Sequence, residues 1–179
     1  LTDEYAKTLA PDIKDAAGLK IDIQSELEAR AEFEANQKFQ DSLLEELTDK
    51  STVPTPEVLV QDQLAALEQN FSQNLMYRGQ TLDQYLEQED LSREDWITKE
   101  LRPAAEKRVR NSLVMAQLTR DWNITVTDDE VNAQQEKVVA QYSEPSLRAR
   151  FETPEAKQQI AQQLMAEKTL QHLAELNSK

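Results

Sequence analysis

The sequence contains no cysteine, which excludes disulfides and thiolate metal sites and suits a reducing compartment. Glycine occurs twice, at Gly18 and Gly79, leaving little material for tight hairpins or phosphate-cradling loops. His172 is the single histidine, so a catalytic pair or a Glu-x-x-His di-metal site has no second member. It reads as a solvated or helix-end residue. No G-x-G-x-x-G, P-loop, G-x-S-x-G or EF-hand pattern is present. Catalytic residues, metal ligands and cofactors are therefore all expected to be none. No apolar run approaches the roughly 18 residues of a membrane span. The chain begins Leu1-Thr2-Asp3-Glu4, with neither an initiator Met nor a signal-peptide pattern, and reads as a piece of a longer protein.

What is there is helix-forming and acidic. Gln, Glu, Ala, Leu and Lys dominate, so the chain is expected to be almost wholly helical and elongated rather than compact. With 34 acidic against 20 basic residues the formal net charge is −14, which repels nucleic acid and favours solubility. The acidic pairs Glu45/Glu46, Glu89/Asp90 and Asp128/Asp129 read as helix caps and solvated faces. Lys107, Arg108 and Arg110 read as a cluster that balances nearby acids rather than a phosphate site.

Punctuation divides the chain. Thr2 or Asp3 is expected to cap a short helix to about Leu9, ended by Pro11, with a linker through Gly18. A long helix follows from about Leu19 to Thr48. Its apolar residues Ile23, Leu27, Ala31, Ala35, Phe39, Leu43 and Leu47 recur every four residues, a stripe that drifts by ~40° per step. Such winding argues against a two-stranded coiled coil and for a spine meeting different partners along its length. Pro54-Thr55-Pro56 is the clearest break, with Thr55 read as N-cap and Pro56 at the first helical position. The next helix carries Val60, Leu64, Leu67, Phe71 and Leu75 on one face and ends at Gly79. Thr81 caps a short helix, and Ser92 with Asp95 opens one running to about Trp122, interrupted at Pro103. Thr127 and Glu130 form a capping box for a helix to about Tyr142, and Thr153-Pro154 starts the last helix, to about Leu176. Its apolar face is Ile160, Leu164, Leu170, Leu173 and Ala174.

The conspicuous remaining residues are apolar and aromatic, near helix ends and turns: Phe71, Met76, Tyr77, Tyr85, Trp96, Met115, Trp122, Tyr142 and Phe151. Each is either ordinary core or part of an open groove for apolar polypeptide. Met and aromatics suit promiscuous contacts because they adapt to different shapes.

The order of these signals resembles the C-terminal domain of bacterial trigger factors. Leu1 to Lys7 resembles the segment after that family's prolyl isomerase domain. Val53-Pro54 with Glu57 to Val60 is similar to the start of its first arm, and Arg78-Gly79-Gln80 with Leu82, Tyr85 and Leu86 to that arm's tip. Trp122 to Thr127 with Glu130-Val131 is similar to the joint into the second arm. The resemblance covers essentially the whole chain. It implies an all-α domain with a body at about 1–52 and 154–179, a first arm at about 53–108 and a second at about 109–153. It also implies a chaperone module that holds unfolded or nascent polypeptide by dispersed weak contacts. Client-binding candidates are then Leu64, Leu67, Phe71, Leu75, Met76, Tyr77, Leu82, Tyr85, Trp96, Met115, Trp122, Tyr142 and Phe151. The family's ribosome-docking domain and FKBP-like isomerase domain are not in this sequence. Ribosome contact is thus expected only through that missing domain, and no isomerase activity from this chain. Further expectations are a cytoplasmic location, no nucleic-acid or membrane partner, and a monomeric or weakly self-associating chain. Alternatives are a periplasmic chaperone with a similar helical domain, a helical adaptor with one dedicated partner and, least supported, an enzyme.

Overall fold

The computed structural model describes residue 3 and residues 15–178. The short helix expected before Pro11, and the family-like segment Leu1 to Lys7, lie outside the described residues apart from Asp3. Among the described residues the secondary structure is entirely helical. The elements are α1 (Ala16–Lys50), α2 (Glu57–Tyr77), α3 (Leu82–Gln88), α4 (Arg93–Trp96), a π turn (Ile97–Leu101), α5 (Arg102–Asp121), α6 (Asp128–Ala140), α7 (Pro145–Phe151) and α8 (Pro154–Asn177). They fall into two compact units, Leu1–Leu43 and Leu44–Lys179.

The first unit holds most of α1. Asp15 starts this helix by accepting the Gly18 N–H at 2.7 Å, so Gly18 lies inside the helix rather than in a linker. The short carboxylate satisfies a first-turn donor that has no partner within the helix. Beyond the buried Leu19, positions 20–39 are exposed throughout, including Ile21, Ile23, Leu27, Phe33 and Phe39.

The second unit has its core where α2 packs along α5, with α3, α4 and the π turn closing one end. Val60, Leu64, Leu86, Trp96, Leu101, Ala105 and Val109 are buried together. Leu67, Phe71, Leu82, Tyr85, Leu91, Ile97 and Leu113 pack around them. The four-residue spacing of Leu101, Ala105 and Val109 supplies one wall, and Val60 and Leu64 the other. Ala105 is 0% exposed, so α2 approaches α5 closely there. Ion pairs of Arg93 with Glu68 and of Arg102 with Glu57 (2.6 Å) span the rim.

Helix α2 begins one residue later than its proline pattern suggests. Pro56 is itself the N-cap, with φ −58° and ψ 129°, and its carbonyl accepts the Val60 N–H at 3.2 Å. The interruption at Pro103 takes the form of a π turn, in which the Arg102 N–H reaches back to the Ile97 carbonyl. A proline lacks an N–H and crowds the carbonyl four residues earlier. Here that is Lys99, inside the widened turn.

Among the described residues three helices are followed by a residue in the left-handed conformation. Gly79 (φ 73°), Asp90 (φ 54°) and Asn123 (φ 50°) each follow a helix, and the next N–H bonds far back into it. The bonds are Gln80 to Leu75 (3.0 Å), Leu91 to Leu86 (2.9 Å) and Ile124 to Thr119 (2.9 Å). This six-to-one closure satisfies orphan carbonyls. With so few glycines, Asp and Asn fill the position through their tolerance of positive φ.

The rest of the unit is built on α8, which packs against α5, α6 and α7. Ile160, Thr169 and Leu173 are its buried positions. Thr169 is 0% exposed, and its hydroxyl lies 2.7 Å from the Met165 carbonyl and 2.9 Å from the Thr119 hydroxyl. Gln135 is buried as well and donates to the Phe151 carbonyl at 2.5 Å, closing the end of α7.

The capping box at Thr127 forms in full. Glu130 accepts the Thr127 N–H at 2.9 Å and returns its own N–H to the Thr127 hydroxyl at 3.3 Å. Lys168 of α8 pairs with the same carboxylate at 2.6 Å and donates to the Thr125 carbonyl at 3.1 Å. The Lys168 hydrogen bond first, then the Thr127 N–H, hold the Glu130 carboxyl down at about 2, against an ordinary value of 4.5. A depressed folded-state value means that this contact stabilises the fold above about 4.5 and fades as pH falls toward about 2. Glu130→Gln is therefore expected to melt below the parent chain at pH 7, with the gap closing on acidification through that window. Thermal denaturation followed by circular dichroism at both ends of the window measures it.

Candidate functional site

The structure sorts the client-binding candidates by exposure. Trp96 is 1% exposed, and Leu64 and Leu75 are buried too. These three are core, and a client cannot touch them in this fold. Leu64 and Leu75 share the face that α2 buries, and Trp96 enters the core from α4. Leu67, Phe71, Leu82 and Tyr85 are half-buried against the same cluster. Phe71 meets Tyr85 edge-on at 5.0 Å and Trp96 at 5.1 Å, so its ring is mainly engaged within the protein. Burial of the Tyr85 hydroxyl, with Glu100 and Glu89 nearby, raises its pKa.

Tyr142 and Phe151 stack on each other at 5.0 Å, bracketing α7, and both are half-buried. Trp122 meets His172 edge-on at 4.8 Å. The lone histidine thus packs against the end of α5, and its Nδ1 lies 3.9 Å from Glu175. In the basic cluster, Lys107 pairs with Glu45, while Arg108 and Arg110 make no ion pair among the described residues.

Two candidates are freely presented. Met76 is 73% and Tyr77 91% exposed, side by side at the C-terminal end of α2 just before Gly79. Phe71, Asn74, Arg78, Gln80, Tyr85 and Glu89 border a concavity of about 600 Å3, whose lining does not include Met76 or Tyr77. Met115 lines a second groove, of about 740 Å3, between α5 and α8, with Ala116, Thr119, Arg120, Gln162 and Met165 among its other walls. A smaller apolar groove of about 440 Å3 lies among Leu47, Val53, Pro54, Leu113 and Leu118. All three are open clefts whose walls mix apolar side chains with amides and hydroxyls.

Sequence reasoning passed over Ile21, Phe33, Val58, Leu59 and Leu176, all large and exposed. Ile21 and Phe33 lie off the four-residue stripe of α1, so periodicity gave no signal for them. Among the described residues no three acidic or histidine side chains gather as a metal-ligand set. No helix among them is long and apolar enough to cross a membrane.

Among the described residues the chain is helical throughout and carries several open, partly apolar clefts. Comparison with known proteins is specific. Residues 15–175 match the family model described as the bacterial trigger factor protein C-terminus, and the chain belongs to that family. It is 31% identical over 142 residues to the trigger factor of Agathobacter rectalis, covering 79% of this chain and 32% of that protein. With the trigger factor of Exiguobacterium sibiricum it shares 32% identity over 146 residues, 82% of this chain and 34% of the relative. The trigger factor of Halalkalibacterium halodurans aligns over 98% of this chain and 41% of its own length at 26% identity. The chain thus spans about a third of the length of the first two relatives. No solved structure matches it significantly.

Proposed function

We propose that this chain is the client-holding module of a trigger-factor-type chaperone, binding unfolded or nascent polypeptide by dispersed weak contacts. The observation that carries the reading is the scatter of large exposed apolar side chains over a net-negative helical scaffold. Met76 and Tyr77 stand at the end of α2, Val58 at its start, and Ile21, Leu27 and Phe33 along α1. Family membership supports the same reading. The division into a body and two arms, with the boundaries given above, belongs to it. So do a cytoplasmic site of action, contact with ribosomes through a domain outside this chain, and the lack of isomerase turnover by this chain.

Energetics explain why the contacts must be many. Full burial of one large apolar side chain contributes roughly 1.5–3 kcal/mol, and a shallow surface contact less. Micromolar affinity needs about 8 kcal/mol net of the cost of association. Several sites must therefore act together.

The test is suppression of aggregation of a chemically unfolded reporter enzyme. Met76→Ser, Tyr77→Ser, Leu27→Ser and Phe33→Ser are each expected to weaken it by about two- to fivefold, as for about 0.5–1 kcal/mol. Combined, their effects should multiply. Circular dichroism establishes that each variant stays folded. Loss of all activity from one substitution would instead point to a single dedicated pocket and to the adaptor reading.

A further inference from the structure

Helix α7 is held in place without a core of its own. None of its seven residues is buried, and only Leu147 and Phe151 are even half-covered. A ring stack and two hydrogen bonds to backbone carbonyls fasten it to α6 and the link that follows α6. The Arg148 Nε donates to the Tyr142 carbonyl at 2.6 Å. Phe151 is gripped twice: its ring stacks on Tyr142 at 5.0 Å, and its carbonyl accepts the buried Gln135 amide at 2.5 Å. Gln135, Val138, Val139 and Tyr142 fall within an arc of about 100° around α6. One strip thus carries the amide, two β-branched side chains and the aromatic ring, and Val138, Val139 and Tyr142 are half-buried.

What Phe151 presents to this strip is generic. A large apolar side chain with the carbonyl of the same residue is what any phenylalanine or leucine of an extended polypeptide offers. A ring stack and a neutral hydrogen bond are each modest in net effect, because folding only exchanges them for contacts with water or with another chain. A short helix with no buried residue adds little to keep them closed.

We propose, on the footing of the client-holding function above, that α7 is an autoinhibitory strap. Phe151 occupies, from within the chain, a site for a large apolar residue of an unfolded polypeptide. When the strap swings out, Tyr142 takes the incoming side chain and Gln135 donates to the incoming carbonyl. The buried amide has an acceptor in either state, so neither leaves an unmet donor. A client that binds only the open form is weakened by the fraction of molecules that are closed, so the strap sets the affinity of this site.

Trypsin reads the opening, because α7 carries its own cleavage points at Arg148 and Arg150. In the full 179-residue chain, cutting after these two is expected at least tenfold faster than after Arg108 and Arg110 of α5. Arg148→Gln should speed the cut after Arg150 several-fold, and Phe151→Ala the cut after Arg148, with the α5 sites unchanged. Binding is read by fluorescence anisotropy with a labelled, reduced and carboxymethylated protein that cannot fold. Phe151→Ala and Arg148→Gln should each bind it about three- to tenfold more tightly, and Tyr142→Ala more weakly. The two rings of one stacked pair then respond with opposite sign, which neither a loss of fold nor the loss of a client contact produces. Arg148→Gln leaves both rings and Gln135 in place, so it decides the matter even where Phe151→Ala loosens the start of α8. Weaker binding by Phe151→Ala and Arg148→Gln, or cutting in α7 no faster than in α5, would overturn the strap and leave the client-holding function standing. No binding by the parent chain or by any variant would remove both.

Discussion

Replacing Trp96 with alanine is expected to remove about 3–5 kcal/mol of stability, the range for truncating a large aromatic in a packed core. Trp96 is almost wholly buried and joins α4 to the α2–α5 seam, with Phe71 tilted against it at 5.1 Å. Its indole sits with Val60, Leu64, Leu86, Leu101, Ala105 and Val109, and α3, α4 and the π turn close around that cluster. Alanine leaves a cavity that helices tied at both ends cannot collapse to fill. Urea unfolding followed by circular dichroism should show the midpoint falling by more than about 1 M, given slopes of about 1–3 kcal/mol per molar for small domains. The variant retains Trp122 as its sole tryptophan, so fluorescence reports the α5–α8 region separately. A loss below about 1 kcal/mol would mean that Trp96 is not the centre of this core.

The second large effect runs the other way, by addition. Ala105→Leu is expected to cost about 1–3 kcal/mol through overpacking. Ala105 is completely buried where α2 approaches α5, and three further heavy atoms there must push the helices apart or leave their preferred rotamers. The same urea titration measures it. Ala104→Leu, one position round the helix and exposed, is the control and should change stability by less than about 0.5 kcal/mol. If the two behaved alike, the close approach of α2 to α5 at Ala105 would be wrong.

The chemistry of helix ends was largely legible in the sequence because it is local. Thr127 with Glu130, Thr81 before Leu82 and Thr153 before Pro154 each begin a helix, as their spacing indicates. At Ser92 only half a box forms. Its hydroxyl accepts the Asp95 N–H at 3.0 Å and donates to the Asp95 carboxylate at 2.9 Å, a side chain too short to return to the Ser92 backbone. Asp15 was missed because Gly18, three residues on, reads as a breaker, although a glycine N–H is as good a donor as any. Asp90 and Asn123 were missed because positive φ is sought at glycine first. The buried partners Thr169 and Gln135 depend on which hydroxyl or carbonyl another helix brings within reach, and no single segment contains that information. The same reason governs the candidate surface. Trp96 and Tyr77 are both aromatic residues near helix ends, yet one is 1% and the other 91% exposed. Periodicity tells which residues share a face, and only the packing of other helices tells which face is covered.

The π turn at Ile97–Leu101 has a consequence for chain length. One residue more than α-helical winding requires is absorbed there, so that Trp96 before it and Leu101, Ala105 and Val109 after it all reach the same core. Loss of a residue anywhere from Ala105 onward along α5 would swing the remainder of that helix by about 100°. Within the π turn, the same loss would simply restore ordinary winding and leave both flanks facing as they do. Ordinary winding, however, would press the carbonyl four residues before Pro103 against its ring. The extra residue and the proline therefore accommodate each other. Shedding the residue while keeping the proline would cost about 3 kcal/mol, or a kink in the helix.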